Sequence, residues 1–533
     1  MPWLPGAARG GRGFRGMGRV GLDELRKHGD DAGIARPPTK CSRLRDARGD
    51  AQGRHPSTRE VVLVPPAGCL HGQVTFDPAR RIVPATERAT ILCRRDPMMP
   101  SRRQFLGSMA VPAVAAAGLP LLPARLSADA RKVADDLGNW SGTPAQIARD
   151  EDFWVEVARA FTVDRSLINL NNGGVSPSPR WVQEAMKRHL DYSNEAPTYT
   201  MWQILEPQRE TVRARLAREW GVDAEEIALT RNASEGLQIL QHGFDLQPGD
   251  EVLTTTQDYG RMITTFRQRE RRHGIVLKQI RIPVPAEDPA EIVRLFEEAI
   301  TPRTRMILCC HMINLTGQIL PVKELTALGR RHGIPVLVDG AHALAHFDFD
   351  LGELDVDFYA TSLHKWLFAP HGTGLLYVRR ERIPEVWPLT AAPESRDGDI
   401  RKFEEIGTHP AANYLAIAEA LTFHQGIGGA RKEARMVYLR DYWAERLLQH
   451  DRVRLHTSRK EGFACGLANV QIDGVDPGPL NQYLWNEHRI IAVGIGHEEC
   501  TGSRITPSVY TTLEELDRFG DAMEHVIRHG LPA

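Results

Sequence analysis

The chain has 533 residues, 42% hydrophobic and 25% charged, with 67 Lys and Arg against 68 Asp and Glu. That balance belongs to a globular protein with a large core, and it excludes a mostly disordered chain, a collagen-like repeat and a multispanning membrane protein. Seven cysteines are too few for a disulfide scaffold.

The charge is unevenly placed. Residues 1–97 hold 18 basic and 10 acidic residues, 98–128 hold three arginines and no acid, and 129–533 hold 46 basic against 58 acidic. An acidic body argues against nucleic acid as its partner. The basic front carries Gly-Arg pieces between residues 9 and 19 and no sustained helical or strand period. It reads as disorder, with a Gly/Arg-rich RNA-binding tail as the minor alternative.

Residues 101–107 read Ser-Arg-Arg-Gln-Phe-Leu-Gly, an uncharged apolar stretch covers 109–122, and small residues follow around 124–128. This is the order of a secretory signal. Arg102-Arg103 ahead of Phe105-Leu106 resembles the twin-arginine (Tat) type. The apolar part is too short and too Pro-interrupted for stable membrane insertion. An internal buried helix is the competing reading. Met98 and Met99 stand just before the signal, so translation is expected to start there, leaving 1–97 as a disordered or mis-assigned extension. Use of the signal sends the folded protein through the twin-arginine machinery to the periplasm; without it the protein stays cytoplasmic. Cleavage near Ala128 would leave about 405 residues, enough for a two-domain enzyme.

Residues 129–165 read as an N-terminal arm, 166–395 as a large domain and 396–533 as a smaller one. Strand and helix patterns alternate through the large domain. Strands are expected at Ile227–Thr230, 251–256, 275–282, 305–310, 335–338, 357–361 and Gly374–Val378. Helices are expected at 234–244, 261–273, 289–300 and 321–332. Strands separated by helices of this length make a mostly parallel sheet covered on both faces, with ligands bound beyond the strand ends. After residue 395 come long helices at about 410–425 and 430–449, short strands at Ala468–Ile472 and 490–493, and a final helix at 512–529. That is the pattern of a smaller α+β domain.

Four segments carry chemistry, all read as loops. Thr361-Ser362-Leu363-His364-Lys365-Trp366 follows a strand end, with Gly372-Thr373-Gly374 beyond it. A lysine there could be a plain surface residue. In a partly buried site its pKa falls and it becomes a nucleophile able to form a Schiff base with an aldehyde cofactor. Val336-Leu337-Val338-Asp339-Gly340-Ala341-His342 puts an acid at the exit of an apolar strand, which is costly unless paired. It lacks metal-site spacing with other carboxylates, so no metal is expected. An Asp facing a pyridinium nitrogen keeps that nitrogen protonated and the ring an electron sink. Thr230-Arg231-Asn232-Ala233-Ser234-Glu235-Gly236 is a strand-to-helix turn that is either a simple N-cap or a phosphate cradle. Gly502-Ser503-Arg504-Ile505-Thr506-Pro507 offers an arginine fork, suited to a surface ion pair or to a substrate carboxylate.

Together these segments resemble the class V aminotransferases of pyridoxal-phosphate fold type I, and within them the isopenicillin N epimerase-like branch. The likeness runs from about Asn169 to the C-terminus and takes in Leu170-Asn171-Asn172-Gly173-Gly174 and Glu405-Ile406-Gly407-Thr408. It implies an α/β fold with a large pyridoxal 5'-phosphate domain and a smaller C-terminal domain. It implies that Lys365 carries the Schiff base and shuttles the proton, that Asp339 pairs with the ring nitrogen, and that His342 meets the ring's phenolic oxygen or face. Ala233, Ser234, Thr361 and His364 would hold the phosphate. Thr408 would reach the phosphate of a second subunit, since this fold builds its sites at a homodimer interface. Arg504 would hold the substrate carboxylate, and Asn172 would line the substrate pocket.

One departure stands out. Many class V enzymes stack a histidine on the ring after the strand that ends here at Thr256, whereas this chain has Gln257-Asp258-Tyr259-Gly260. Tyr259 is either the stacking replacement or a core tyrosine. His311 and Asn314 face the same ligand side, and His311 reads slightly better as a satisfied core histidine than as a catalytic one. The parts imply a carboxylate-bearing amine as substrate and serve epimerisation, transamination and β-elimination alike. One rival is a cysteine desulfurase or β-lyase using Cys500, although Glu498 and Glu499 would raise that thiol's pKa. A cofactor-binding protein without turnover is the other; intact Lys365, Asp339 and Arg504 count against it. Cys309 and Cys310 read as core, and Cys465 and Cys500 as the exposed thiols.

Overall fold

A computed structural model describes residues 121–532, with side chains described from Ala130 onward. The N-terminal extension, the start at Met98 or Met99 and the twin-arginine motif lie outside the described residues.

The described chain begins with helix α1 (Leu121–Gly138), which runs through the small residues at 124–128. Helix α2 (Glu151–Ala158) follows, capped by Asp150, whose side chain accepts the Phe153 amide. Strand β1 (Ile168–Asn169) leads into helices α3 (Arg180–Ser193) and α4 (Arg209–Glu219). The alternation then runs β2 (Ile227–Thr230), α5 (Ala233–Gly243), β3 (Glu251–Thr255), α6 (Gly260–His273), β4 (Val276–Ile280), α7 (Pro289–Ala299), β5 (Thr304–Cys310), α8 (Val322–Arg331), β6 (Val336–Asp339), β7 (Phe358–Ser362) and β8 (Gly374–Val378). The strands join in one sheet of order β2-β8-β7-β6-β5-β3-β4. Strands β3 to β7 are parallel, and β8 runs antiparallel to both β7 and β2. The expected elements are therefore present, with ends within two residues of the pattern-based reading.

The sheet is buried on both faces because successive residues of each strand serve opposite cores. Ile307, Val336, Val338, Tyr359 and Leu375 pack into one cluster with Trp181, Leu216, Phe296 and Leu325 from α3, α4, α7 and α8. Met306, Leu308, Leu337, Phe358 and Leu376 pack into the other, with Leu237 of α5 and Phe266 of α6. The near-continuous apolar strands of the sequence are this double burial.

Beyond residue 395, helices α9 (Ile417–Ile427) and α10 (Gly429–Leu447) precede a four-stranded antiparallel sheet. Its strands are β9 (Val453–Leu455), β10 (Ala468–Ile472), β12 (Val493–Ile495) and β13 (Gly502–Ile505), in the order β12-β13-β10-β9. Helices α11 (Pro477–His488) and α12 (Leu513–His529) cover it. Strand β11 (Ile490–Ile491) pairs in parallel with β1, tying the front of the chain to its end. The expected strand at 490–493 is split into β11 and β12. The segment at 502–505, read as a loop, is an interior strand bonded on both edges. Its four residues are buried, so the tertiary setting overrides a weak strand pattern. No helix among the described residues is long and apolar enough to cross a membrane.

A buried carboxylate pins the edge strand β2. Glu404 accepts from Arg209 Nη2 at 2.7 Å, from both terminal nitrogens of Arg213 at 2.7 and 3.1 Å, and from the Leu229 amide at 2.6 Å. Arg213 also donates to the Ile227 carbonyl. Removing this acid leaves two largely buried guanidinium groups and a strand amide without their acceptor. Glu404→Ala is expected to lower stability by about 3 kcal/mol, read as a fall in the chemical denaturation midpoint.

Candidate active site

The parallel sheet places five chain segments at one edge. Strands β2, β3, β5, β6 and β7 all end there, at Thr230, Thr255, Cys310, Asp339 and Ser362. The register puts Cys310 opposite Asp339 and Asp339 opposite Ala360. Loops leaving these ends carry Ala233, Tyr259, His311, His342 and Lys365. Gly340, directly after Asp339, is required by close approach: a Cβ there would come within 2.1 Å of the Tyr359 ring.

Lys365, His342 and Asp339 form the centre. Lys365 Nζ lies 2.9 Å from His342 Nε2. Burial draws the lysine down to about 8; the charge of Asp339 opposes that fall and the charge of Arg504 adds to it. Asp339 is 4% exposed, and burial pushes its carboxyl up to about 6 against the Ala341 amide at 3.0 Å and the Lys365 charge. His342 is held well below its ordinary value, first by burial and then by Lys365 and Arg504, so its ring is neutral. A neutral imidazole facing an ammonium accepts through Nε2 and keeps its proton on Nδ1. That Nδ1 is buried with no hydrogen-bond partner.

The start of α5 faces the same edge. Asn232 caps it, accepting the Glu235 amide at 2.9 Å, and the Ala233 amide donates to Ser362 Oγ at 3.0 Å. Ser234 lies in this first turn. Thr361, at the end of β7, donates its hydroxyl to the Gly340 carbonyl at 2.8 Å and braces the β6 and β7 ends. Ser362, named in the lysine segment but given no role there, is the hydroxyl that meets the helix start. His364 shares a 3.0 Å hydrogen bond with the Thr373 carbonyl through Nδ1, and burial holds the ring down to about 4. Thr408 is exposed after Gly407, whose φ is +74°. It lines a surface hollow with Trp202, Glu206 and Arg401 rather than joining the residues around Lys365.

Arg504 sits on the opposite side. The bridge between Asn171 and Thr506 brings the Asn-Asn-Gly-Gly segment alongside β13. Arg504 donates to the Asn314 carbonyl at 3.1 Å and to Asn171 Oδ1 at 2.9 Å, while its buried Nε has no partner. Burial lowers the guanidinium to about 10, partly offset by Tyr259. Asn172, expected in the pocket, spends its side chain internally on Asn169, Thr506 and Tyr510, with the Tyr510 hydroxyl at 2.6 Å. Its neighbour Asn171 is the one that meets Arg504, a distinction that two adjacent asparagines do not reveal in sequence. Asn314 Oδ1 is buried without a partner.

Tyr259 is half-buried at the start of α6, packed on the core yet close enough to influence Arg504. His311 is a core residue: its Nδ1 meets the Tyr359 hydroxyl at 3.0 Å, and it lies edge-on to Phe347 and Phe349. The expectation of exposed Cys465 and Cys500 is corrected, since both are fully buried. Cys500 is pushed up to about 12, mainly by burial and then by Glu499. Glu499 anchors its loop through Thr256 Oγ1 at 2.7 Å and Gln257 Nε2 at 2.8 Å. Among the described residues no group of three or more His, Cys, Asp or Glu is arranged to hold a metal ion.

A family model for class V aminotransferases matches residues 168–519. The chain is 31% identical over 396 residues to isopenicillin N epimerase of Streptomyces clavuligerus, covering 70% of this chain and 98% of that protein. It is 25% identical over 386 residues to a cysteine desulfurase of Haloferax volcanii, covering 67% and 89%. Among solved structures, a lysine-to-alanine mutant of C-DES with glycine covalently linked to its PLP cofactor superposes with a TM-score of 0.60 at 25% identity, covering 67% of this chain and 96% of that one.

The lowered value of Lys365 has a direct consequence. Its free amine forms from about pH 8 upward rather than from 10.5. In the cofactor-free protein, modification of Lys365 by a small acylating reagent, followed by peptide mass mapping, should be half-maximal near pH 8. Exposed lysines should respond near their ordinary value.

Proposed function

Since the chain belongs to the class V aminotransferase family, we propose that it is an enzyme that removes and returns a proton at the α-carbon of an amino acid or related carboxylate-bearing amine, in the manner of an epimerase or aminotransferase. Pyridoxal phosphate is its cofactor, and the residues present fit it. His342 Nδ1 is an orphaned buried donor suited to a ring oxygen. Asp339 is a buried acid at a strand end, and Lys365 is a buried amine within reach of the same histidine. The first turn of α5 with Ser362 offers amides and a hydroxyl to a phosphate.

The observation that carries the reading is the 2.9 Å contact between Lys365 Nζ and His342 Nε2, beside a strand-end Asp339 and opposite an arginine with an unpartnered Nε. When bound, the cofactor supplies an electron-withdrawing ring that stabilises negative charge on the substrate's α-carbon. Lys365 would hold the cofactor through Nζ and, once free, take the α-proton on the same atom. Asp339 would keep the ring nitrogen protonated. His342, neutral and hydrogen-bonded to Nζ, orients the lysine and can pass its proton. Arg504 would fix the carboxylate and so aim the α-hydrogen at Lys365. Ser362, Ala233 and Ser234 would hold the phosphate, with His364 packed beside them. Similarity to an isopenicillin N epimerase over nearly its whole length supports reprotonation at carbon. The desulfurase reading needs a reactive mobile thiol; burial of Cys500 and the anchoring of its loop by Glu499 weigh against it. A homodimer presenting Thr408 to a second copy, and export by the twin-arginine route, complete the proposal.

The test is solvent-deuterium exchange at the α-carbon across a panel of L- and D-amino acids, with the visible band followed in parallel. Responders should shift the band and exchange, and their products should be either inverted amino acids or 2-oxo acids. Lys365→Ala should cut exchange by about 10³-fold or more. Arg504→Ala should raise KM by about 10- to 100-fold, the worth of a charged hydrogen-bonded pair. Absence of a band with added pyridoxal phosphate, or a band without exchange in any responder, would overturn the proposal.

Retention of the cofactor tests the phosphate side separately. Ser362→Ala should speed its loss on dialysis by about tenfold, the equivalent of one hydrogen bond to a charged group, while Thr361→Ala should act mainly on thermal stability.

A further inference from the structure

Behind the two loops that meet at Lys365 lies a second set of buried polar groups. The segment after β6 carries His342 and His346, and the segment after β7 carries Lys365, Trp366 and Phe368. His346 is fully buried and lies flat on Trp366, with ring centroids 3.7 Å apart and planes within 12°. Its Nδ1 donates to the His342 carbonyl at 2.9 Å, and its Nε2 accepts the Gly466 amide at 3.1 Å. A carbonyl offers no proton and an amide offers one, so the two contacts together permit a single neutral tautomer.

Lys432 of α10 supplies the other half. It is 1% exposed, donates to the Trp366 carbonyl, and has its Nζ 4.0 Å from the centroid of the Phe368 ring. No carboxylate among the described residues forms an ion pair with it. Burial without a counter-charge draws this amine down to about 7, and its donor is aimed at the peptide that follows the candidate catalytic lysine. Ala345 and Phe368 both hold left-handed backbone, at φ +60° and +61°. Non-glycine residues keep that conformation only where the surroundings over-determine it.

We propose that His346 and Lys432 are positioning residues for Lys365, which set its contact with His342 from the far side of the two loops and couple it, through Gly466 and α10, to the segment that supplies Arg504. Neither touches the reacting atoms. The groups that face Lys365 are Asp339, His342, Arg504 and Cys310, with Asp258 acting through Asp339. The other two act only by holding the loops closed, which keeps water from Nζ. The consequence for turnover rests on Lys365 being the cofactor lysine; the consequence for its titration does not.

The experiment compares wild type, Lys432→Met, Lys432→Arg and His346→Phe. Site-resolved acylation of Lys365 is followed against pH in the cofactor-free chain, alongside kcat, KM and thermal unfolding of the holoenzyme. Lys432→Met and His346→Phe should move the Lys365 midpoint up from about 8 by about one unit or more, toward the ordinary lysine value, as water enters. They should lower kcat about tenfold with KM within about twofold, since orientation rather than binding is lost. Lys432→Arg should recover much of both. A fall in melting temperature alone, with midpoint and kcat unchanged, would make both residues plain core and overturn the proposal. If Lys432→Met does not fold, His346→Phe, which keeps an aromatic face on Trp366, decides by the same readouts. A wild-type midpoint near 10.5 with no pyridoxal-phosphate band would instead defeat the functional reading itself.

Discussion

Keeping a lysine and a carboxylate out of water at the ends of adjacent parallel strands is the constraint on which the site depends. Burial raises Asp339 and lowers Lys365, so each group approaches neutrality when alone and recovers charge from the other. An amine close to neutrality is a nucleophile and a base, whereas an ordinary surface lysine is neither at neutral pH. The remaining features follow from holding this pair in place. Gly340 lets the Asp339 loop pass over Tyr359, Thr361 ties that loop to β7, and His342 is denied a proton on Nε2 so that it can accept from Nζ.

Parallel strands supply the convergence cheaply. Four of the strand ends bring groups of different chemistry to one edge: an amide cradle from β2, a tyrosine from β3, an acid and a histidine from β6, and a lysine from β7. The arginine comes from outside that sheet. It comes from β13, an interior strand of the second sheet, carried in by the pairing of Thr506 with the Asn171 segment. The setting of Arg504 is thus built by two segments more than 300 residues apart in sequence.

Much of this could be read from residue order alone. Apolar runs of four to six residues alternating with capped amphipathic helices gave the parallel sheet, and Asp339 and Lys365 announced themselves as polar residues directly after such runs. The misses share a physical origin. Strand β13 has a Gly, a Ser and an Arg in four residues, and it is a strand because neighbours on both edges bond it. Thr361 and Ser362 are adjacent hydroxyls, but the two-residue period of a strand sends one to the Gly340 carbonyl and the other to the Ala233 amide. The same adjacency separates Asn171 from Asn172. Cys465 and Cys500, expected to be the exposed thiols, are buried because their segments are bonded by side chains far away in sequence. Local pattern identifies which segment matters; which residue within it acts is a tertiary fact.

That tertiary dependence bears on why such parts serve different reactions. Proton removal at an α-carbon needs, besides the cofactor's ring, a base, an acid at the ring nitrogen and a grip on the carboxylate. The fate of the carbanion depends on what else can approach it. In this chain the thiol nearest to Arg504 in sequence is buried on a loop fastened by Glu499 to Thr256 and Gln257, across the strand end that presents Tyr259. Freeing Cys500 would cost those bonds, and the thiol would still face a neighbouring carboxylate that disfavours its ionised form. The loop that carries Cys500 is thus held by side-chain bonds, as Lys365 is held by its 2.9 Å contact with His342. Rigidity of this kind comes from bonds between segments far apart in sequence, which is why residue order alone does not display it.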